Sequence, residues 1–239
     1  MNFICTLVLV TALVVFFAES IRRHYYIYYI IAGVIAIITS IYEILRITSN
    51  AKLDGLLLVL EKVSIRGLIS IALFILVMYA GALNSRWQIT KKLRSIRAEL
   101  AILGCITMLP HGTIYFIRFL ILKLPKVMSE DAFSILYLSY IVAGMTGFIL
   151  MMPLFITSLR KVRRKMKGMQ WKKLQRWAYL FYLLAYVHIV FILLNDKETD
   201  WLRLAAYTLI FGSYMILRLM KYRSRSISTS PLGFSKSSN

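Results

Sequence analysis

Seven long apolar runs occupy most of this 239-residue chain, at 2–18, 25–45, 64–83, 98–122, 133–159, 177–194 and 202–220. A helix needs about 20 apolar residues to span the hydrocarbon core of a bilayer. Lipid also leaves every backbone N–H and C=O to be satisfied inside the segment, which a helix does. The runs therefore predict an all-α integral membrane protein, a bundle of about seven transmembrane helices. Composition agrees: 59% of residues are hydrophobic and 17% charged, with a mean hydropathy of +0.71. The first run could instead be a signal peptide, but no basic segment precedes it and no A-x-A site follows, so it is read as a helix. The segment 54–62 (DGLLLVLEK) is too short to span alone and reads as a surface-lying helix or the lead-in to the third span.

Thirty Lys and Arg against ten Asp and Glu give a net charge of +20. The cations cluster in short loops between apolar runs, which orients a chain in a bilayer rather than gripping nucleic acid. One cluster follows the third run (Arg86, Lys91, Lys92, Arg94, Arg97). A larger one follows the fifth, from Arg160 to Arg176. Both loops are expected in the cytoplasm. The acidic loops that hold Glu130, Asp131, Asp196, Glu198 and Asp200 are expected outside, which puts the N-terminus outside and the C-terminus in the cytoplasm. The Ser-rich tail 223–239 reads as disordered. Two cysteines, Cys5 and Cys105, each in an apolar run, offer neither a disulfide framework nor a thiolate metal site. No glycine motif marks a nucleotide domain.

Ionisable groups inside a membrane span are costly and point to function by default. His111 in the fourth run and His188 in the sixth are such groups, the alternative being neutral rings hydrogen-bonded to a neighbouring helix. His111 stands 14 residues after Arg97 and His188 stands 12 after Arg176, or about 21 and 18 Å above the same face at 1.5 Å per residue. Two imidazoles at matched depth on separate helices can supply both axial ligands of one haem iron. No carboxylate or cysteine nearby in sequence suggests another metal set. Arg118, two turns beyond His111 on the same helix face, is placed to meet haem propionates or to snorkel to the headgroups. His24, beside Arg22 and Arg23, reads as interfacial. Pro110 and Pro153 should kink their helices, while Gly104, Gly112, Gly144 and Gly147 read as close-packing positions. The eleven methionines are scattered and carry no copper signal.

The stretch TGFILMMPLFITSLRKVRRKMKGMQWKKLQRWAYLFYLLAYVHIVF, residues 146–191, resembles the ferric reductase-like transmembrane family. Within that family it is most like the haem-binding membrane subunits of bacterial periplasmic methionine sulfoxide reductase systems. In that group Thr-Gly opens the span, Thr-Ser closes it, and W-x-x-L-H-x-L-x-Y leads into a helix with a second His thirteen residues later. Trp171, Leu174, Tyr179 and His188 match, and Gln175 replaces the first His. RAELAILGCITMLPH, residues 97–111, likewise resembles the segment that supplies the opposite ligand. The resemblance covers about 64–222 and leaves 1–63 as a less recognisable two-helix extension; seven spans exceed the family's usual six. It implies His111 and His188 as axial haem ligands. The wider family stacks two haems on inner and outer His pairs. Here Arg97, Ala98 and Gln175 stand at the inner positions, so the expectation is one haem b, in the outer half.

The resemblance further implies a bacterial inner-membrane subunit that passes electrons from the cytoplasmic side or the quinol pool to an extracytoplasmic redox partner or ferric iron. With no inner haem, the donor is expected to be a quinol or a flavin held near Gln175, Trp171 and Arg176, with Trp177, Tyr179 and Tyr182 lining the same inner stretch. The rival reading is a non-redox transporter or assembly protein on the same scaffold, its cofactors lost.

Overall fold

In the computed structural model, residues 3–49, 54–125, 135–196 and 198–228 are described, and they are helical throughout apart from short turns. The helices are α1 (Phe3–Phe16), α2 (Ala18–Arg23), α3 (Tyr25–Ser49), α4 (Gly55–Ile65), α5 (Leu68–Ala82), α6 (Gln88–Ser95) and α7 (Arg97–Arg118). After a π-helical turn at Phe119–Lys123 come α8 (Ile135–Ser158), α9 (Arg160–Arg163), α10 (Gly168–Gln175), α11 (Ala178–Asn195) and α12 (Trp201–Ser228). The acidic pair Glu130 and Asp131 and the tail after 228 lie outside the described residues; the first six residues of the expected tail, 223–228, continue α12.

Among the described residues, five stretches are long and apolar enough to cross a membrane: Tyr25–Ser49, Arg97–Ile121, Ile135–Ser158, Gly168–Asn195 and Trp201–Arg223. A sixth candidate crossing is bent. Leu58–Ile65 and Leu68–Ala82 pass together but meet at 55°, so the segment 54–62 is the first arm of that bent pair rather than a separate surface helix. The break has a local cause: Gly67 sits at φ +70°, in the left-handed region, and caps α5, a conformation open to glycine at little steric cost. The first apolar run yields only the 14 residues of α1 before the chain bends at Phe17. At about 21 Å it falls short of the roughly 30 Å core.

Helix α7 is the centre of the bundle, in contact with α3, α4, α5 and α8, while α8 packs along α11, and α12 covers α11 and α5. The inward stripe of α3 is Ala32, Ala36, Thr39 and Glu43, spaced by helical turns. Its other faces present Ile30, Val34, Ile37, Ile38 and Ile41 outward. Small residues inward and large aliphatics outward invert the soluble pattern, as expected where lipid is the solvent and close backbone approach drives packing. Helix α5 is buried along most of its length. A hydroxyl pair joins it to α7 (Ser70 Oγ to Thr107 Oγ1, 2.9 Å), and Tyr79 donates to the Ile210 carbonyl of α12 at 2.8 Å. The last carbonyls of α5 are capped by a cation: Lys221 Nζ donates to the Gly81 and Leu83 oxygens at 2.9 and 3.2 Å, a pairing that satisfies both helix dipole and orphan acceptors. The basic segments after the third, fifth and last spans thus converge at one end of the bundle.

Candidate functional site

His111 projects from α7 and His188 from α11, and the bundle brings their rings together, with centroids 6.3 Å apart and planes crossed at 83°. Each ring is held by a backbone carbonyl. His111 Nδ1 lies 2.8 Å from the Ile65 oxygen and His188 Nδ1 lies 2.7 Å from the Tyr140 oxygen. A carbonyl can only accept, so each Nδ1 carries the proton and each Nε2 keeps its lone pair. This is how a metal-ligating imidazole is oriented by its second nitrogen.

Each carbonyl is freed by a local feature of its own helix. Ile65 ends α4, where the last turn has no continuing helix to supply its N–H donors; the break at Gly67 therefore creates the acceptor. Tyr140 lies within α8, and its second lone pair takes the His188 proton only because Gly144, four residues on, has no side chain. A Cβ there would stand 2.6 Å from His188 Cε1 and Nδ1. Gly144 is thus a clearance residue for the ring, not a helix-packing position. Gly112 and Gly104 do serve packing, against Phe148 and Phe74, and Gly147 meets Leu184 at an ordinary 3.6 Å.

Two metal–nitrogen bonds of about 2.0 Å, plus about 1.15 Å from each donor nitrogen to its ring centre, give about 6.3 Å between imidazoles bound opposite each other on one metal. The observed centroid separation equals that span. Tyr115 and Tyr140 flank the pair, their rings 4.8 Å from His111 and 6.0 Å from His188. Among the described residues, no group of three or more His, Cys, Asp or Glu side chains could hold a different metal.

The other expected site residues divide between two places. Arg118 donates from Nη1 to Glu43 on α3 at 3.0 Å, a partner that sequence spacing did not suggest. At the opposite, basic end a cavity of about 1230 Å³ is lined by Trp171, Gln175 and Arg176 together with Arg97, Ala98 and Tyr182. Gln175 Nε2 donates to Thr157 Oγ1 at 3.3 Å and Ser158 Oγ at 3.4 Å, and Trp171 Nε1 donates to the Thr157 carbonyl at 3.1 Å. The Thr-Ser that closes α8 is therefore clasped by α10. Arg163 stacks over Trp171 with its guanidinium carbon 4.3 Å from the ring centroid. Across the cavity Arg160 pairs with Glu99 at 2.7 Å, and that hydrogen bond to the carboxylate raises the guanidinium pKa further above its ordinary value. Cys105, Met151 and Phe181 also line the cavity. Cys105 is six residues before His111 on α7, about 9 Å along the axis. Tyr179, on the same lining, accepts a hydrogen bond from Arg218 Nη2, and Trp177 is half exposed.

We expect Gly144→Ala to displace His188 or spread α8 from α11 and to lower stability by about 1–3 kcal/mol, the usual range for overpacking. Gly147→Ala should stay within about 0.5 kcal/mol. Thermal unfolding of both variants in detergent reads the contrast; equal melting points would contradict the clearance role.

Residues 66–186 match the family described as ferric reductase like transmembrane component. A stretch of 163 residues is 35% identical to an uncharacterized protein of Treponema pallidum (strain Nichols), covering 64% of this chain and 42% of that protein. A stretch of 94 residues is 32% identical to the protein-methionine-sulfoxide reductase heme-binding subunit MsrQ of Agrobacterium fabrum (strain C58), covering 39% of this chain and 41% of that one. The chain thus spans less than half the length of these curated relatives. No solved structure matches it. The family match includes His111 and stops two residues before His188, and it covers half of the chain: this protein belongs to the ferric reductase like transmembrane component family.

Proposed function

We propose that this protein is a membrane electron carrier that holds one haem b between His111 and His188. The observation that carries the reading is the paired geometry: two rings 6.3 Å apart, each with Nδ1 bound to a carbonyl and Nε2 left to coordinate. The haem would supply the one-electron chemistry, and the protein supplies ligation, orientation and tuning. Membership of the family supports a redox role, and the relative from Agrobacterium fabrum is named as a haem-binding subunit. Arg118 is the cation closest along α7 on the side away from the basic cavity. Glu43 takes one of its five N–H donors, and the remaining ones are suited to a propionate.

One haem is the number we infer, because Arg97, Ala98 and Gln175, at the inner positions, line an open cavity and offer no imidazole. That cavity is the place we assign to the electron donor, a quinol or a flavin beside Trp171, Gln175 and Arg176. Its apolar end at Cys105 lies about 9 Å along α7 from His111, so a donor need not act from the aqueous surface. The acceptor is a redox partner protein or ferric iron on the far side. The basic end faces the cytoplasm of a bacterial inner membrane, by the bias of Lys and Arg toward that side. Seven passes, with the N-terminus outside and the C-terminus inside, require the bent α4–α5 pair to cross and the short α1 to be matched by local thinning of the bilayer. The non-redox alternative, a transporter or assembly protein, has no comparable observation in its favour.

The purified protein should show sharp, split α and β absorption bands on reduction, the mark of a low-spin haem with two imidazoles. His111→Ala or His188→Ala should abolish that spectrum or turn it high-spin. An unchanged low-spin spectrum in either variant contradicts the ligand assignment, and two haems per chain contradict the single site. A cytoplasm-only reporter fused after Asn239 should be active; an inactive one reverses the orientation.

A further inference from the structure

Two carboxyl groups lie inside the bundle on the Arg118 side of the histidines. Glu43 on α3 is 1% exposed and Glu61 on α4 is 7% exposed. Ionisable side chains in a bilayer are expensive, and they persist where they are paired or functional. Glu43 is fully engaged. Arg46 donates to its two oxygens at 2.7 and 2.6 Å, and Arg118 adds a bond at 3.0 Å. Glu61 is not. Helix α4 packs against α3, so Glu61 interacts electrostatically with Glu43, yet its Oε1 is buried and has no hydrogen-bond partner among the described residues.

An ionised carboxylate is acceptor-only, with about four lone-pair sites to satisfy, and two ionised carboxylates at this range repel. A carboxylic acid at Glu61 resolves both problems, since it can donate to Glu43 and leaves a neutral oxygen unpaired. The charged and titratable groups around the pair are few. Helix α3 contributes Glu43, Arg46 and Tyr42, α4 itself Lys62, and α7 Arg118, while α5 carries no charged residue. Both arginines are committed to Glu43, so neither neutralises Glu61 by a direct bond.

The pair is wired to the histidine site twice. Glu61 is one turn, about 6 Å, before Ile65 on α4, and the Ile65 carbonyl accepts the His111 Nδ1 proton. Arg118, gripped by Glu43, is two turns, about 10 Å, beyond His111 on α7. Added negative charge at the histidines is felt at this distance, because lipid and buried protein screen it far less than water. Neither carboxylate lies in the stretch matched by the family, 66–186.

We propose that Glu61 and Glu43 share one proton, and that this proton-binding site couples proton uptake to the arrival of an electron between His111 and His188. The coupling rests on the haem reading above; the shared proton does not. One electron enters from the quinol or flavin donor. One proton enters from water at the Arg118 end and completes an O–H bond on Glu61. Without the electron the pair holds that proton less tightly, so oxidation releases it to water only across the pH range in which the midpoint moves, and no other bond changes.

Redox titration of the purified protein across neutral pH, with mediators and dithionite, tests the coupling. The midpoint should fall as pH rises, because a proton bound more tightly in the reduced state favours reduction. The limit is about 59 mV per pH unit for one proton per electron. Glu61→Gln should flatten the slope and Glu61→Asp should keep one. A flat midpoint in the unaltered protein, or an unchanged slope in Glu61→Gln, overturns the coupling. Protein purified without haem would refute the proposed function instead, and infrared titration of that same protein still decides the shared proton. A protonated-carboxyl C=O band that disappears in Glu61→Gln is the expected result, and its absence from the unaltered protein overturns the proposal.

Discussion

Each of the two intramembrane imidazoles is tied through Nδ1 to a backbone carbonyl, and the functional architecture depends on that pair of bonds. In lipid a carbonyl is normally consumed by its own helix, so a spare acceptor has to be made. The bundle makes one by breaking a helix at Gly67 and the other by removing a side chain at Gly144. The consequences reach well beyond the rings. The 55° bend between α4 and α5 turns α4 against α3 and α7, which buries Glu61 beside Glu43. The clearance at Gly144 allows α8 and α11 to pack along their length, and α8 in turn bridges α11 to α7.

The basic end obeys a different constraint. There α10 clasps the Thr157–Ser158 end of α8 through Trp171 and Gln175, and Lys221 caps α5. These contacts hold the rim of the cavity without filling it. An imidazole at position 175 would face that cavity; glutamine uses its amide nitrogen on two hydroxyls instead. The molecule therefore has one histidine pair and one open chamber beneath it, where the wider family stacks two haems. Under the proposed function, a mobile donor in the chamber takes the place of a fixed inner cofactor.

Much of this is legible in the amino-acid sequence. Periodicity and run length identify α3, α7, α8, α11 and α12 as spans, and the similar offsets of His111 and His188 from flanking cations, 14 and 12 residues, anticipate their meeting. Other features leave no such trace. The first run is apolar enough to read as a span, yet α1 stops at 14 residues, because hydropathy does not register a bend at Phe17. The 54–62 segment reads as separate since a single glycine, not a polar loop, divides it from α5. Gly144 looks like any small residue in a membrane helix; its role depends on a side chain 44 positions away. Glu43 was invisible as a partner of Arg118 because 75 residues separate them, and burial of a carboxylate in an apolar run is a property of helix rotation that spacing alone does not reveal.

Electron paramagnetic resonance of the oxidised, purified protein tests the central claim most directly. Crossed imidazole planes leave the two iron d orbitals of π symmetry nearly degenerate, so ligand rings at 83° predict a single, highly anisotropic low-spin ferric signal accounting for about one iron per chain. A rhombic low-spin signal of parallel rings, a purely high-spin signal, or no haem iron at all would contradict it.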